Sequence, residues 1–159
     1  MEVVWAPWRM QYILGEKPMG CFLCKAVTNG VSKTDFVLQS TDHSLVLLNR
    51  YPYISGHLMV VPHRHISGLD ELTGPEMADL QETLRKTISI VRKVLSPDGI
   101  NVGMNLGKAA GAGLEDHIHW HVIPRFHGDT NSFTVLTESR VIPESLEDTY
   151  QRFITSFQQ

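Results

Sequence analysis

Two patterns in the sequence predict an α+β fold: a mostly antiparallel sheet of about five strands, carrying one long helix and a C-terminal helix. The first pattern is a set of short runs rich in Val, Ile and Leu. These are Asp35 to Gln39, Ser44 to Asn49, His57 to Val61, Ile100 to Asn105 and Asp116 to Pro124. Turn signals such as Tyr51-Pro52 and Ser55-Gly56 divide them, so they read as strands. The second pattern lies between the third and fourth runs. There Met77, Leu80, Leu84, Ile88, Val91 and Leu95 recur every three or four residues and form one apolar stripe. Thr73 with Glu76 reads as a capping box, and Pro75 sits in the first turn where its missing N–H costs nothing. Ser96-Pro97-Asp98-Gly99 stops the helix. A weaker helical spacing returns after Pro143, at Leu146, Tyr150, Phe153 and Phe157.

The chain of 159 residues has room for one domain with a real core, not two. It reads as a single domain over 1–159: an N-terminal arm over 1–34, a core over 35–126 and a C-terminal extension over 127–159. Fourteen basic and seventeen acidic residues leave a formal charge of -3. That balance argues against nucleic acid as a partner, since wrapping a polyphosphate backbone needs a basic stripe. No long apolar run suggests a membrane span. The opening Met1 to Arg9 is broken by an acid, a proline and an arginine and does not form a signal-peptide core. With only two cysteines, Cys21 and Cys24, there is no disulfide scaffold. A cytoplasmic location is the expectation.

The chemistry concentrates in His117-Ile118-His119-Trp120-His121. Alternate residues of a strand face opposite sides. On that reading the three histidines line one face and Ile118, Trp120 and Val122 line the core face. Packing asks for no row of imidazoles; catalysis or a metal does. Just upstream runs Asn105-Leu106-Gly107-Lys108-Ala109-Ala110-Gly111-Ala112-Gly113. Its glycines let backbone approach a ligand closely, and Lys108 adds charge. It lacks the spacing and the Ser or Thr of a Walker loop. Beside three imidazoles it reads as a phosphate cradle next to a nucleophile, and otherwise as a flexible connection.

His117 to Ile123 resembles the histidine-triad (HIT) family pattern of His, apolar, His, apolar, His, apolar, apolar. Pro124-Arg125, Leu48-Asn49-Arg50 and Gly56-His57-Leu58-Met59-Val60-Val61-Pro62 are similar to neighbouring family segments. Asn101 to Gly107, Gly128 to Phe133 and Val141-Ile142-Pro143 resemble the bacterial diadenosine tetraphosphate phosphorylase-like members. The resemblance implies a HIT-like fold, a homodimer and a two-step transfer of a nucleoside monophosphate. His119 would attack the α-phosphorus and form a covalent nucleotidyl-imidazole. His121 would donate to a phosphoryl oxygen or the leaving group, with His57 supporting it. Asn49 would meet the ribose, and Asn105, Gly107, Lys108, Gly111 and Gly113 the phosphates. A neutral imidazole, with a reference pKa of about 6.5, needs no deprotonation to act as a nucleophile. Gly113-Leu114 stand where the family's hydrolases carry Gln and Ser or Thr, so side-chain donors are lost there. The acceptor remains open between phosphate and water. Three other readings also remain: a phosphoramidate or aminoacyl-adenylate hydrolase, a non-catalytic nucleotide-binding module, and a zinc-dependent interaction protein.

Cys21-Phe22-Leu23-Cys24 supplies two thiols, half of a tetrahedral zinc site or else a buried or redox pair. By resemblance to zinc-bearing members of the superfamily, His65 and His117 would complete a structural zinc site. That would leave His119 and His121 for chemistry. His43, His63 and His127 read as surface or turn residues. Trp5, Trp8 and Tyr12 read as an aromatic arm that packs on the domain or a partner, or stacks on a base. Arg50, Lys108 and Arg125 are candidates to steer a polyphosphate.

Overall fold

The computed structural model describes residues 20–129 and 142–158. The aromatic arm of Trp5, Trp8 and Tyr12, and most of the segment from Gly128 to Val141, lie outside them. Five strands form one sheet: β1 (Val37–Ser40), β2 (Ser44–Leu48), β3 (Leu58–Pro62), β4 (Gly99–Gly103) and β5 (Trp120–Arg125). Their order is β1-β2-β3-β5-β4, and every pairing is antiparallel. Three helices pack on it: α1 (Phe22–Asn29), α2 (Gly74–Leu95) and α3 (Leu146–Phe157).

β2 and β3 are buried along their whole length because both faces are covered. Val46, Leu48, Leu58, Val60 and Val122 meet α2 and α3, where Leu80, Val91, Tyr150 and Phe153 complete the main core. Leu45, Leu47, Met59 and Val61 point the other way, onto Leu23 and Ala26 of α1. This two-sided burial explains why those strands read as continuous apolar runs. β4 lies at the edge of the sheet and is exposed from Asn101 to Gly103.

α2 starts and stops where its sequence signals stand. The Glu76 carboxylate accepts from both the N–H and the hydroxyl of Thr73, each at 2.8 Å. Ser96 closes the helix in a left-handed conformation. α3 is capped by Ser145, whose Oγ accepts from the Asp148 N–H. Its Tyr150 hydroxyl donates to the Val37 carbonyl, tying the C-terminal extension to β1.

Two features depart from the sequence expectation. α1 was not foreseen: it is two turns long, buries only Leu23 and Ala26, and lacks a standard N-cap residue, so no periodicity stands out. The strand expected over Asp116 to Pro124 begins only at Trp120. β3 pairs with β5 up to Val60↔Trp120 and no further. Beyond that point the Pro62 carbonyl is taken by the His117 ring, and the Ile118 N–H donates to Ile66 outside the ladder. His117 and His119 therefore sit on an anchored lead-in, and only His121 belongs to the strand.

Candidate active site

The site lies on the sheet face opposite α2 and α3. His121 pairs with Met59 on β3 and Gly103 on β4, so it shares the face of Met59. α1 covers β1 to β3 on that side. Gly103 adds no side chain, and the space around it is open. The loop between β2 and β3 brings His57 to the same place. Gly56, immediately before it, has φ of 80° and packs under Leu95 and Phe153, where a Cβ would run into Leu95 Cδ1. Only glycine fits that corner without strain.

Hydrogen bonds fix each imidazole's proton. The Nδ1 of His119 lies 2.9 Å from the His117 carbonyl, which can only accept. Nδ1 therefore carries the proton, and Nε2 presents a lone pair. The Asn49 amide nitrogen lies almost equally far from the two ring nitrogens of His57, at 3.4 Å and 3.5 Å, while Nδ1 receives the Tyr53 N–H at 3.2 Å. It must be the bare nitrogen, so the His57 proton is on Nε2. That proton points to Nδ1 of His121, 2.9 Å away. His121 then carries its own proton on Nε2. One nucleophilic nitrogen and one proton donor result, on rings whose centroids are 4.8 Å apart.

Burial keeps the pair neutral. His57 is 1% exposed. Desolvation, then the nearby His121 and His119, push its pKa down to about 3. Burial and His119 lower His121 to about 4. Both are uncharged at neutral pH, as the proton arrangement requires.

Asn49 is half-buried, with its Oδ1 accepting from the Tyr51 N–H at 2.9 Å. In the glycine stretch, Gly107 and Gly111 have φ of 78° and 89° and bracket a short 3-10 turn over Lys108–Ala110. The N–H groups of Ala110, Gly111 and Ala112 are spent on carbonyls of Gly107 and Lys108. These two glycines therefore shape the turn. The Asn105 amide bonds the Gly111 carbonyl at 3.5 Å, and Gly113 lies exposed at the end of the loop. Arg50 donates to the Thr34 carbonyl, and Arg125 is held by Asp129 and Asn101. Of the three proposed steering cations, Lys108 alone has no side-chain partner among the described residues, and it is exposed. His63 bonds the Ser44 carbonyl, and His127 is on the surface beside Asp98.

A second cluster adjoins the first. One ligand atom from each of Cys21, Cys24, His65 and His117 lies within 4.8 Å of all the others. The Nδ1 of His117 is 3.4 Å and 3.5 Å from the two sulfurs, and that of His65 is 3.2 Å from Cys24. Tetrahedral metal bonds of about 2.3 Å to sulfur and about 2.05 Å to nitrogen would set such edges at about 3.6 Å. The donor set fits a closed tetrahedral metal. His117 is oriented for it, since its Nε2–H donates to the Pro62 carbonyl at 2.9 Å and leaves Nδ1 bare. Burial and the neighbouring Cys21 raise the Cys24 thiol pKa, a cost that a bound cation would offset. Arg64, next to His65 in the chain, bonds Glu76 at 2.5 Å and the Glu71 carbonyl at 2.7 Å. The structure thus brings His57, His119 and His121 together and groups Cys21, Cys24, His65 and His117 beside them. It adds Tyr53, which the sequence reading did not single out; only its place four residues before His57 on a tight loop pointed to it.

Comparison with known proteins identifies the family and the fold. The HIT domain family model matches residues 31–128. The AP-4-A phosphorylase of Mycobacterium tuberculosis is 39% identical over 99% of this chain and 85% of its own length. The bis(5'-nucleosyl)-tetraphosphatase [asymmetrical] of Schizosaccharomyces pombe is 36% identical over 58% of this chain and 50% of its own. A zinc-bound histidine triad family protein from Mycobacterium smegmatis superposes with a TM-score of 0.70 at 27% identity, covering 88% of this chain and 94% of the other. The chain belongs to the HIT domain family.

Proposed function

We propose that this protein cleaves diadenosine tetraphosphate or a related dinucleoside polyphosphate by transferring a nucleoside monophosphate through His119. The observation that carries the reading is the bare Nε2 of His119 beside a neutral His121 whose Nε2 bears a proton. The lone pair attacks the α-phosphorus and the bond to the bridging oxygen breaks. His121, backed by His57, donates to the departing oxygen or to a phosphoryl oxygen. An acceptor then takes the nucleotide from His119, restoring the imidazole. The 39% identity to AP-4-A phosphorylase supports orthophosphate as that acceptor. Asn49 serves the ribose; Asn105, Lys108 and Gly113 face the phosphates; Gly107 and Gly111 bend the loop toward them.

Cys21, Cys24, His65 and His117 hold zinc in this reading, supported by their spacing and by the zinc-bound relative. A bound zinc ion would pin α1 to the lead-in of the catalytic strand, and with four protein ligands it is structural. Thiolate ligands fit the reducing cytoplasm. No described helix is long and apolar enough to cross a membrane. A homodimer formed along the β4 edge is supported by its exposed backbone and by Val102 and Leu106, 42% and 47% exposed. The substrate is a nucleotide, not a nucleic acid.

The test is product analysis of diadenosine tetraphosphate with and without orthophosphate. ADP with ATP, formed only when phosphate is present, is the expected result. AMP with ATP in its absence would make water the acceptor. His119→Ala should cut kcat by at least about 1,000-fold while nucleotide binding persists. Turnover by His119→Ala at the wild-type rate would refute the mechanism.

A further inference from the structure

The Tyr53 ring sits on the loop between β2 and β3 and is 44% exposed, so core packing does not account for an aromatic there. Its centroid nevertheless lies 4.8 Å from that of His57 at an interplanar angle of 30°, and 6.1 Å from that of His121. Beneath it, His57 is 1% exposed. The ring therefore lies against the buried His57 and near His121, with part of its own surface open to solvent.

We propose that the Tyr53 side chain is a positioning residue for nucleotidyl transfer: its ring keeps water from His57 and thereby holds the His57–His121 pair in the one proton arrangement that leaves Nε2–H of His121 facing the transfer site. This rests on the reading that His121 donates during the transfer. The bond that selects the arrangement is a neutral one, from Tyr53 N–H to Nδ1 at 3.2 Å, since the Asn49 amide lies at 3.4 Å and 3.5 Å from the two ring nitrogens and favours neither. In water such bonds discriminate weakly, because water offers equivalent partners to either tautomer. In a dry site the same bonds are stronger and a mismatched donor goes unpaired. The ring supplies the dryness; the backbone N–H supplies the direction. The titratable groups facing His57 are His121 and His119 of the β5 segment and Tyr53 itself; the pKa of His57 is lowered by burial and by those two histidines, and no carboxylate or cation contributes.

Ring and backbone are separable by substitution, since any residue but proline keeps the N–H. Tyr53→Phe keeps the stacked face. Tyr53→Ala and Tyr53→Leu remove it, Leu retaining apolar volume so that the fold is guarded. The measurement is ring nitrogen–proton correlation spectroscopy on protein labelled with 15N-histidine, paired with kcat and KM for diadenosine tetraphosphate. Wild type and Tyr53→Phe should present His57 as a single tautomer with bare Nδ1. Tyr53→Ala and Tyr53→Leu should give averaged His57 nitrogens and a kcat about ten-fold lower, with KM within about two-fold. A wild-type spectrum and kcat in Tyr53→Ala overturn the proposal. A loss confined to KM also overturns it, because the ring would then be a substrate contact. Should the wild type turn over no dinucleotide, the functional reading fails, and the spectra still decide this one.

Discussion

Acidification should weaken the fold through His57 in particular. The imidazole is buried, its Nδ1 accepts from the Tyr53 N–H, and its Nε2–H is committed to His121. Its pKa falls from 6.5 to about 3 on folding. A group that binds its proton more weakly when folded favours the folded state above its unfolded pKa. That contribution is lost as pH drops from there toward the folded value. At about pH 4.5 the unfolded ring is protonated and the folded one is not; at about 1.4 kcal/mol per unit, the loss relative to neutral pH is about 2.7 kcal/mol. A folded pKa one unit higher would change this by only about 0.1 kcal/mol, so the size is set by the unfolded state. His121, lowered to about 4, acts in the same direction. Urea unfolding of the wild type and His57→Gln at about pH 7 and about pH 4.5 isolates the effect; a metal chelator and a reductant at both pH values keep the cysteine–histidine cluster in one state, so that its own titration is common to both proteins and cancels in the comparison. The wild type should lose about 2–3 kcal/mol more than the variant. Equal losses would mean that His57 takes up its proton within the fold, and the neutral relay derived from its hydrogen bonds would be wrong.

Cys24→Ser should abolish retention of one zinc equivalent per chain, measured by elemental analysis after gel filtration, and should lower the thermal midpoint. Undiminished zinc in that variant would remove Cys24 from the ligand set. Gly56→Ala should cost about 1–3 kcal/mol in urea unfolding, because φ of 80° disfavours a side chain and the new Cβ would press on Leu95. A neutral Gly56→Ala would show that the corner before His57 relaxes freely. Both phosphate dependence of product formation and the His119→Ala assay bear on the transfer itself, while these two variants probe the scaffold that presents it.

Periodicity is a local property, and what depended on it was readable in the chain. The stripe from Met77 to Leu95, its Thr73–Glu76 start and its Ser96 stop follow from nearest neighbours along a helix. So does the apolar character of β2 and β3, although their burial on both faces needed α1 to be seen. The spaced histidines announced a site by type and number alone. Tertiary structure decided their separate duties, because a ring nitrogen's role depends on partners far away in sequence. Pro62 and Cys21 claim the two nitrogens of His117 from 55 and 96 residues off, and His57 reaches His121 across 64. The start of β5 at Trp120 has the same origin, since the Pro62 carbonyl that would continue the ladder serves the His117 ring instead. Tyr53 was invisible to patterning, being an exposed aromatic whose meaning lies wholly in the imidazole beneath it. Residue types and spacing thus marked the candidate groups. The fold determined which nitrogen is bare, which is protonated and which can face a metal, because those states are set by hydrogen bonds that only the closed sheet brings within reach.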